Sequence, residues 1–329
     1  MENKVLVTGS DGFIGSHVSR AFFKADWYVC GLDNKQVSAN ARSFNQEFLR
    51  ADYGDIKVIS KYLEQVRPRV IVHCAGTSLV GPSMMNPSEY YQNNVRKTID
   101  LFDTVLDVME GDLPTILFSS SASVYGNAET YPITETDTLD PMSPYGRSKL
   151  IIENLLKDYH HAYGLKSVCF RYFNAAGATP EDGLGQPMDA THILARIISA
   201  KIKGNWFTLY GNDYNTDDGT CIRDYVHVRD IADAHVKAVV NHSVTEAEVF
   251  NLGTNTGFSN QEIIDHVDST YNGLDYEVGE RRAGDPDRLI ADCSRARSVL
   301  NWEPEDSSLE QIVKDVWNWY SELSSNKEI

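Results

Sequence analysis

Cysteine is scarce in this chain, and basic residues are outnumbered by acidic ones. The five cysteines, Cys30, Cys74, Cys169, Cys221 and Cys293, are dispersed over 329 residues, and no two stand at CxxC spacing. An odd, scattered set with mostly apolar neighbours argues against a disulfide framework or a zinc ribbon. It points to reduced thiols in a cytoplasmic protein. Lysine and arginine total 30 against 47 acidic residues, a formal net charge of −17. Such a field disfavours nucleic acid and an anionic membrane surface, and neither is expected as a partner. A polyanionic ligand would need arginines placed locally against that field. No apolar run approaches the roughly 20 residues of a membrane span. Met1-Glu2-Asn3-Lys4 leads straight into a strand pattern, which predicts no leader segment. Internal repeats and low-complexity linkers are also missing.

What is present is alternation. Short β-rich runs at 4–8, 27–33, 47–51, 70–74, 115–119 and 167–172 interleave with helical patterns at 12–24, 55–65, 87–109 and 144–163. The strand runs have few polar interruptions, as expected where both faces of a parallel sheet are covered. The expected fold class is α/β: a doubly wound (Rossmann) parallel sheet with a smaller, interleaved α/β substrate-binding domain. After residue 174 glycine, proline and aspartate become frequent, and helices are expected near 190–203, 229–241, 259–270 and 308–323. We expect residues 1–174 to form the dinucleotide domain, with returning segments at about 224–253, and residues 175–223 and 254–329 to form the smaller one.

Val5-Leu6-Val7-Thr8-Gly9-Ser10-Asp11-Gly12-Phe13-Ile14-Gly15 reads as a strand, a glycine turn and a helix start. Gly9, Gly12 and Gly15 permit a tight turn, close backbone approach to a pyrophosphate, and close helix–strand packing. The helix N-terminus adds free N–H groups and partial positive charge. Asp33 follows 18 residues after Gly15, where a carboxylate can bind an adenosine ribose. A carboxylate there repels a 2′-phosphate, so NAD is expected rather than NADP, with Lys35 as a counter-argument. A glycine triplet alone can also be a structural turn. Asp11 is an unhelpful acid in an anion loop unless it points away or caps the helix.

Tyr145 stands four residues before Lys149 in a helical pattern opened by Ser143-Pro144. The two side chains share one helix face, and an ammonium beside a phenol favours the phenolate, a base for an alcohol proton. Ser121, at the end of the fifth strand, is placed to hydrogen-bond the same oxygen. The plainer alternatives are a chance surface pair and serines that satisfy strand-end backbone groups. His160-His161 and His227 lack carboxylate–histidine spacing, so no metal is expected.

Three further segments carry a resemblance: Arg171-Tyr172-Phe173-Asn174, the run from Gly211 to Val228 (GNDYNTDDGTCIRDYVHV), and Arg281-Arg282-Ala283-Gly284-Asp285-Pro286. On these and on the tyrosine–lysine pair, the chain resembles the extended short-chain dehydrogenase/reductase family over nearly its whole length. Within that family it is most similar to the UDP-hexose 4-epimerases. The resemblance implies NAD-dependent inversion at C4 of a UDP-hexose through a transient 4-keto sugar. It implies Ser121, Tyr145 and Lys149 as catalytic residues. It places Phe13, Ile14, Asn34, Asp52, Tyr53, Cys74, Ala75, Gly76, Ser78, Asn94, Ser119 and Phe173 with Tyr145 and Lys149 around the cofactor. It assigns Asn174, His192, Arg223, Arg282 and Asp285 to the nucleotide sugar, with Tyr210 against the uracil and Leu289 at a gate beside the hexose. Leucine is smaller than the tyrosine of strict hexose epimerases, which leaves room for an N-acetyl group. The resemblance also implies a homodimer through a four-helix bundle of 87–109 and 144–163. Two alternatives stay open. A nucleotide-sugar dehydratase or decarboxylase of the same family commonly carries Thr-Asp-Glu where this chain has Ser121-Ala122-Ser123. A catalytically inactive NAD sensor tends to lose the tyrosine or lysine.

Overall fold

A computed structural model describes residues 3–35, 43–281 and 286–325. Seven parallel strands form its main sheet: β1 (Lys4–Thr8), β2 (Tyr28–Asp33), β3 (Glu47–Arg50), β4 (Val70–His73), β5 (Thr115–Ser121), β6 (Ser167–Tyr172) and a late strand, Ala247–Leu252. In space the late strand comes first, then β6, β5, β4, β1, β2 and β3. The chain therefore builds outward from β1 in one direction, then returns and builds from β4 in the other. The reversal opens a crevice between the carboxyl ends of β1 and β4, where ligands bind in such sheets.

Side-chain alternation explains why the strands are apolar throughout. Val5 and Val7 enter one core and Leu6 the opposite one. The first core is closed by α1 (Phe13–Lys24), through Val18 and Phe22, and by the helix Val228–Val240, through Ile231 and Ala234. The second is closed by α2 (Ile56–Val66), through Ile59 and Leu63, and by the helices Lys97–Val108 and Pro144–Tyr163, through Leu101, Ile152 and Leu156. Each such buried aliphatic side chain contributes about 1.5–3 kcal/mol.

The helix expected at 87–109 is present as an unbroken helical run, but its winding changes along the way. A short turn at Pro87–Tyr90 passes into a π-helical segment, Tyr91–Arg96, and then into the α-helix Lys97–Val108. The wider turn lets two consecutive side chains, Asn93 and Asn94, both bond Thr77 in the loop after β4. Helices at Val80–Met85 and Ser294–Leu300 escaped the sequence pattern, being short and weakly periodic.

A third core lies apart from the sheet. The helices Ile193–Lys203, Asn260–Tyr271 and Leu309–Ser325 pack Ile197, Ile263 and Ile312 around the strand Phe207–Tyr210. Small sheets of two and three strands connect it to the rest. Among the described residues no helix is long and apolar enough to cross a membrane.

Candidate active site

The glycine loop turns where β1 ends. Gly9 adopts φ +69°, and its N–H donates to the Leu32 carbonyl at 2.7 Å. A Cβ on Gly9 would lie 2.8 Å from Ala75 N, and one on Gly15 would lie 2.0 Å from the Gly9 carbonyl oxygen. Neither position tolerates a side chain. Gly12 caps α1 without a side-chain hydrogen bond, so first-turn N–H groups are left for an anion. At the neighbouring strand end, the Asp33 carboxylate accepts from the backbone N–H of Asp11 at 3.1 Å and of Lys35 at 3.0 Å. Asp11 thus braces Asp33 through its backbone. Asn34 follows, exposed. This cradle fits a dinucleotide: a backbone bare of side chains faces a helix start, and a fixed carboxylate stands one strand away.

Around the crevice, Asp52 accepts from Lys97 Nζ at 2.6 Å and from Gly54 N at 2.9 Å. Its pKa lies below the ordinary value: burial opposes this, but the Lys97 hydrogen bond and charge prevail. The Tyr53 hydroxyl donates to the Asn93 carbonyl. Asn94, 3% exposed, accepts from Thr77 N at 2.7 Å and donates to Ser148 Oγ at 3.1 Å. It ties the loop Cys74-Ala75-Gly76-Thr77-Ser78 to the helix that carries Tyr145. Phe173 is buried in the first core beside Tyr125, and Ile14 packs against the same core. Phe13 meets the His17 ring edge-on.

Tyr145, Lys149 and Ser121 converge at the carboxyl end of β5. Ser143 caps the helix Pro144–Tyr163 by accepting from Gly146 N at 3.1 Å, and Pro144 fits its first turn. Tyr145 and Lys149 then fall on one face, with Lys149 Nζ 5.8 Å from the Tyr145 ring centroid. Lys149 is 6% exposed and donates to the Ser119 carbonyl at 2.7 Å. Burial pulls its pKa down to about 8, although Cys74 and Glu153 pull the other way. The Tyr145 phenol differs from expectation. Burial raises its pKa above the ordinary value, a hydrogen bond with Ser121 lowers it, and Tyr90 raises it. Desolvation outweighs the help expected from Lys149, whose ammonium is directed at a backbone carbonyl.

A separate cavity of about 210 Å³ brings together Asn174, His192, Tyr210 and Arg223, residues scattered through the sequence and expected around the nucleotide sugar. Arg196, not foreseen, lines it as well, with its guanidinium 5.3 Å from the Tyr210 ring centroid. Leu289 is not among the lining residues. It lies on a short strand paired with Arg223 and packs against the first core. Arg282 and Asp285 lie outside the described residues.

The sequence reading also missed Glu153 and Arg171 as partners. Arg171 donates to Glu153 through Nε at 3.0 Å and Nη2 at 2.6 Å, and both side chains are buried. The available signal was Glu153 at one further helical turn beyond Lys149.

Sheet order and loop together define a dinucleotide-binding α/β protein. Sequence comparison narrows this: residues 5–253 match the model of the NAD dependent epimerase/dehydratase family, and the chain belongs to that family. A UDP-glucose 4-epimerase of Lactobacillus helveticus is 38% identical over 328 residues, covering 96% of this chain and 97% of its own. A crystal structure of UDP-glucose 4-epimerase from Brucella ovis in complex with NAD superposes with a TM-score of 0.89 at 36% identity, covering 96% of this chain and 97% of that one. The UDP-Glc/GlcNAc 4-epimerase of Campylobacter jejuni gives 0.82 at 36% identity, covering 97% and 99%.

Proposed function

We propose that this chain is an NAD-dependent epimerase that inverts C4 of a UDP-hexose through a transient 4-keto sugar. The observation that carries the reading is the meeting of Tyr145, Ser121 and Lys149 at the end of β5, beside the glycine cradle. Bound NAD supplies a hydride acceptor and, in the reverse step, a donor. Gly9, Gly12 and Gly15 with the start of α1 hold its pyrophosphate, and Asp33 holds its adenosine ribose. The remaining cofactor contacts fall to Phe13, Ile14, Asn34, Asp52, Tyr53, the Cys74–Ser78 segment, Asn94, Ser119 and Phe173.

As the phenolate, Tyr145 Oη takes the proton of the sugar 4-OH and, as the phenol so formed, returns it; the Ser121 hydroxyl orients that oxygen. The Lys149 ammonium, 5.8 Å from the phenol ring, favours the phenolate once formed. Arg223 and Asn174 grip the diphosphate, and Tyr210 and His192 border the uridine. Arg282 and Asp285 complete this grip by the sequence motif alone. A firm hold on UDP and a loose one on the hexose allow the ketone to present its other face. The partition into a dinucleotide domain and a nucleotide-sugar domain follows the same division of labour.

Substrate breadth is part of the proposal. The likeness to a UDP-Glc/GlcNAc 4-epimerase supports acceptance of N-acetylated UDP-hexosamines; Leu289, packed against the first core, remains the gate position only by the sequence motif. A homodimer through the helix Pro144–Tyr163 is supported by exposed Ile151 and Tyr163 on that helix. Five dispersed free cysteines support a cytoplasmic setting.

The test is to incubate purified protein with UDP-galactose, and separately with UDP-N-acetylgalactosamine, with no NAD added. Appearance of the gluco epimers is expected. Water loss from the sugar would indicate a dehydratase. Absence of turnover, even with NAD supplied, would overturn the assignment.

A further inference from the structure

Behind the catalytic cluster lies a buried polar network that the proposed chemistry does not use. Tyr145, Lys149 and Glu153 follow one another at four-residue steps along one helix, so all three share a face. Glu153 is fully buried, and each of its carboxylate oxygens is engaged. Oε1 accepts from Ser120 Oγ at 2.5 Å and from Arg171 Nε at 3.0 Å, and Oε2 accepts from Arg171 Nη2 at 2.6 Å. Arg171 is equally enclosed. Its Nη1 donates to Tyr125 Oη at 2.8 Å and to the Glu135 carbonyl at 3.2 Å, and Tyr125 in turn donates to Asn251 Oδ1 at 2.6 Å.

The position of Ser120 gives the network its meaning. Ser120 stands between Ser119, whose carbonyl receives Lys149, and Ser121, whose hydroxyl meets Tyr145. Strand alternation turns Ile116, Phe118 and Ser120 toward the helix Pro144–Tyr163, where Ile152 and Leu156 share their core. The Ser120–Glu153 bond is therefore a polar clasp between the end of β5 and the catalytic helix. It lies one residue from each strand group that touches the reacting machinery. Apolar packing alone tolerates small slides along the helix, whereas a directional clasp resists them. A buried ion pair adds little net stability, because desolvation offsets the Coulombic gain.

We propose that Glu153, fixed by Arg171 and Ser120, is a positioning residue for the epimerisation. It sets the catalytic helix against the end of β5 so that Tyr145 meets Ser121 and Lys149 meets the Ser119 carbonyl. The carboxylate also faces Lys149 along the helix and supports its positive charge; Cys74 and Cys169 are the other titratable groups acting in that direction. This inference rests on the epimerase reading, so wild-type turnover of UDP-galactose is established first. Absence of wild-type turnover would sink that reading and not this one.

The test compares wild type with Glu153→Gln and Ser120→Ala in kcat, KM, bound NAD content and the pH profile of kcat. Glu153→Gln keeps the shape but weakens the clasp. A loss in kcat of about 100-fold is expected, as for small misplacements of reacting groups, with KM and bound NAD close to wild type. The alkaline limb of its profile should move to lower pH. Ser120→Ala should lower kcat less, with the limb in place. If Glu153→Gln does not fold, Ser120→Ala decides: a lower kcat at unchanged KM and NAD content supports the clasp. Unchanged kcat in the folded variants, or a loss that merely tracks lost NAD with an unmoved pH profile, would overturn the proposal.

Discussion

The two halves of the molecule hold their functional residues by different means. At the sheet, every side chain proposed as catalytic is placed by a regular element: Ser121 by the end of a strand buried on both faces, Tyr145 and Lys149 by a capped helix of 20 residues. Polar bonds such as Lys149 to Ser119 and Asn94 to Thr77 then remove the remaining freedom. The second half gathers Asn174, His192, Tyr210 and Arg223 from three short strands and a helix start around a cavity. Reacting atoms demand placement within fractions of an ångström. A handle on a nucleotide needs charge and shape in roughly the right place. The contrast predicts that damage on the sheet side appears in kcat and damage on the cavity side in KM.

The sharpest way to break that comparison is Tyr145→Phe. Loss of the proton carrier should lower kcat by about 10³-fold, within the range of general acid–base groups, with KM little changed. Steady-state assay on UDP-galactose decides, and a fully active variant would refute the role. Next in size is Arg223→Ala. Loss of the charge-assisted phosphate contact proposed for Arg223 should raise KM by about 10- to 100-fold while kcat holds. An equal fall in kcat would show that the cavity also positions the hexose.

A smaller effect tests the electrostatics of the sheet side. Lys149 is protonated below its pKa, which burial has lowered to about 8, so its charge is lost as pH rises through that value. The kcat profile should fall on its alkaline side near there. At the same pH values the KM for the nucleotide sugar should stay flat, because the grip proposed for the cavity side does not use the Lys149 charge. A profile flat to pH 10 would mean that the lysine charge is not used.

Much of the sheet half was legible in residue order. The spacing of Gly9, Gly12 and Gly15, the remove of Asp33 and the four-residue step from Tyr145 to Lys149 are local patterns, and local backbone rules translate them directly into a turn, a strand end and a helix face. The surroundings of the phenol were not legible for a physical reason: Lys149 also donates to the Ser119 carbonyl, and burial of Tyr145 depends on packing that spacing does not report. The π turn at Tyr91–Arg96 was unreadable from local pattern, and the Thr77 bonds that its asparagines make come from a distant loop.

Sequence by itself therefore determined the long elements of the sheet, the glycine cradle and which side chains share a helix face, because those depend on neighbours within a few residues. Tertiary structure alone decided that Arg171 closes on Glu153 and that Asn94 ties one loop to the catalytic helix. It also decided that Asn174, His192, Tyr210 and Arg223 border one cavity. Those contacts join residues brought together by the order of strands in the sheet and the packing of the third core. Burial then sets their strength by removing the water that would otherwise compete for each charge and hydrogen bond.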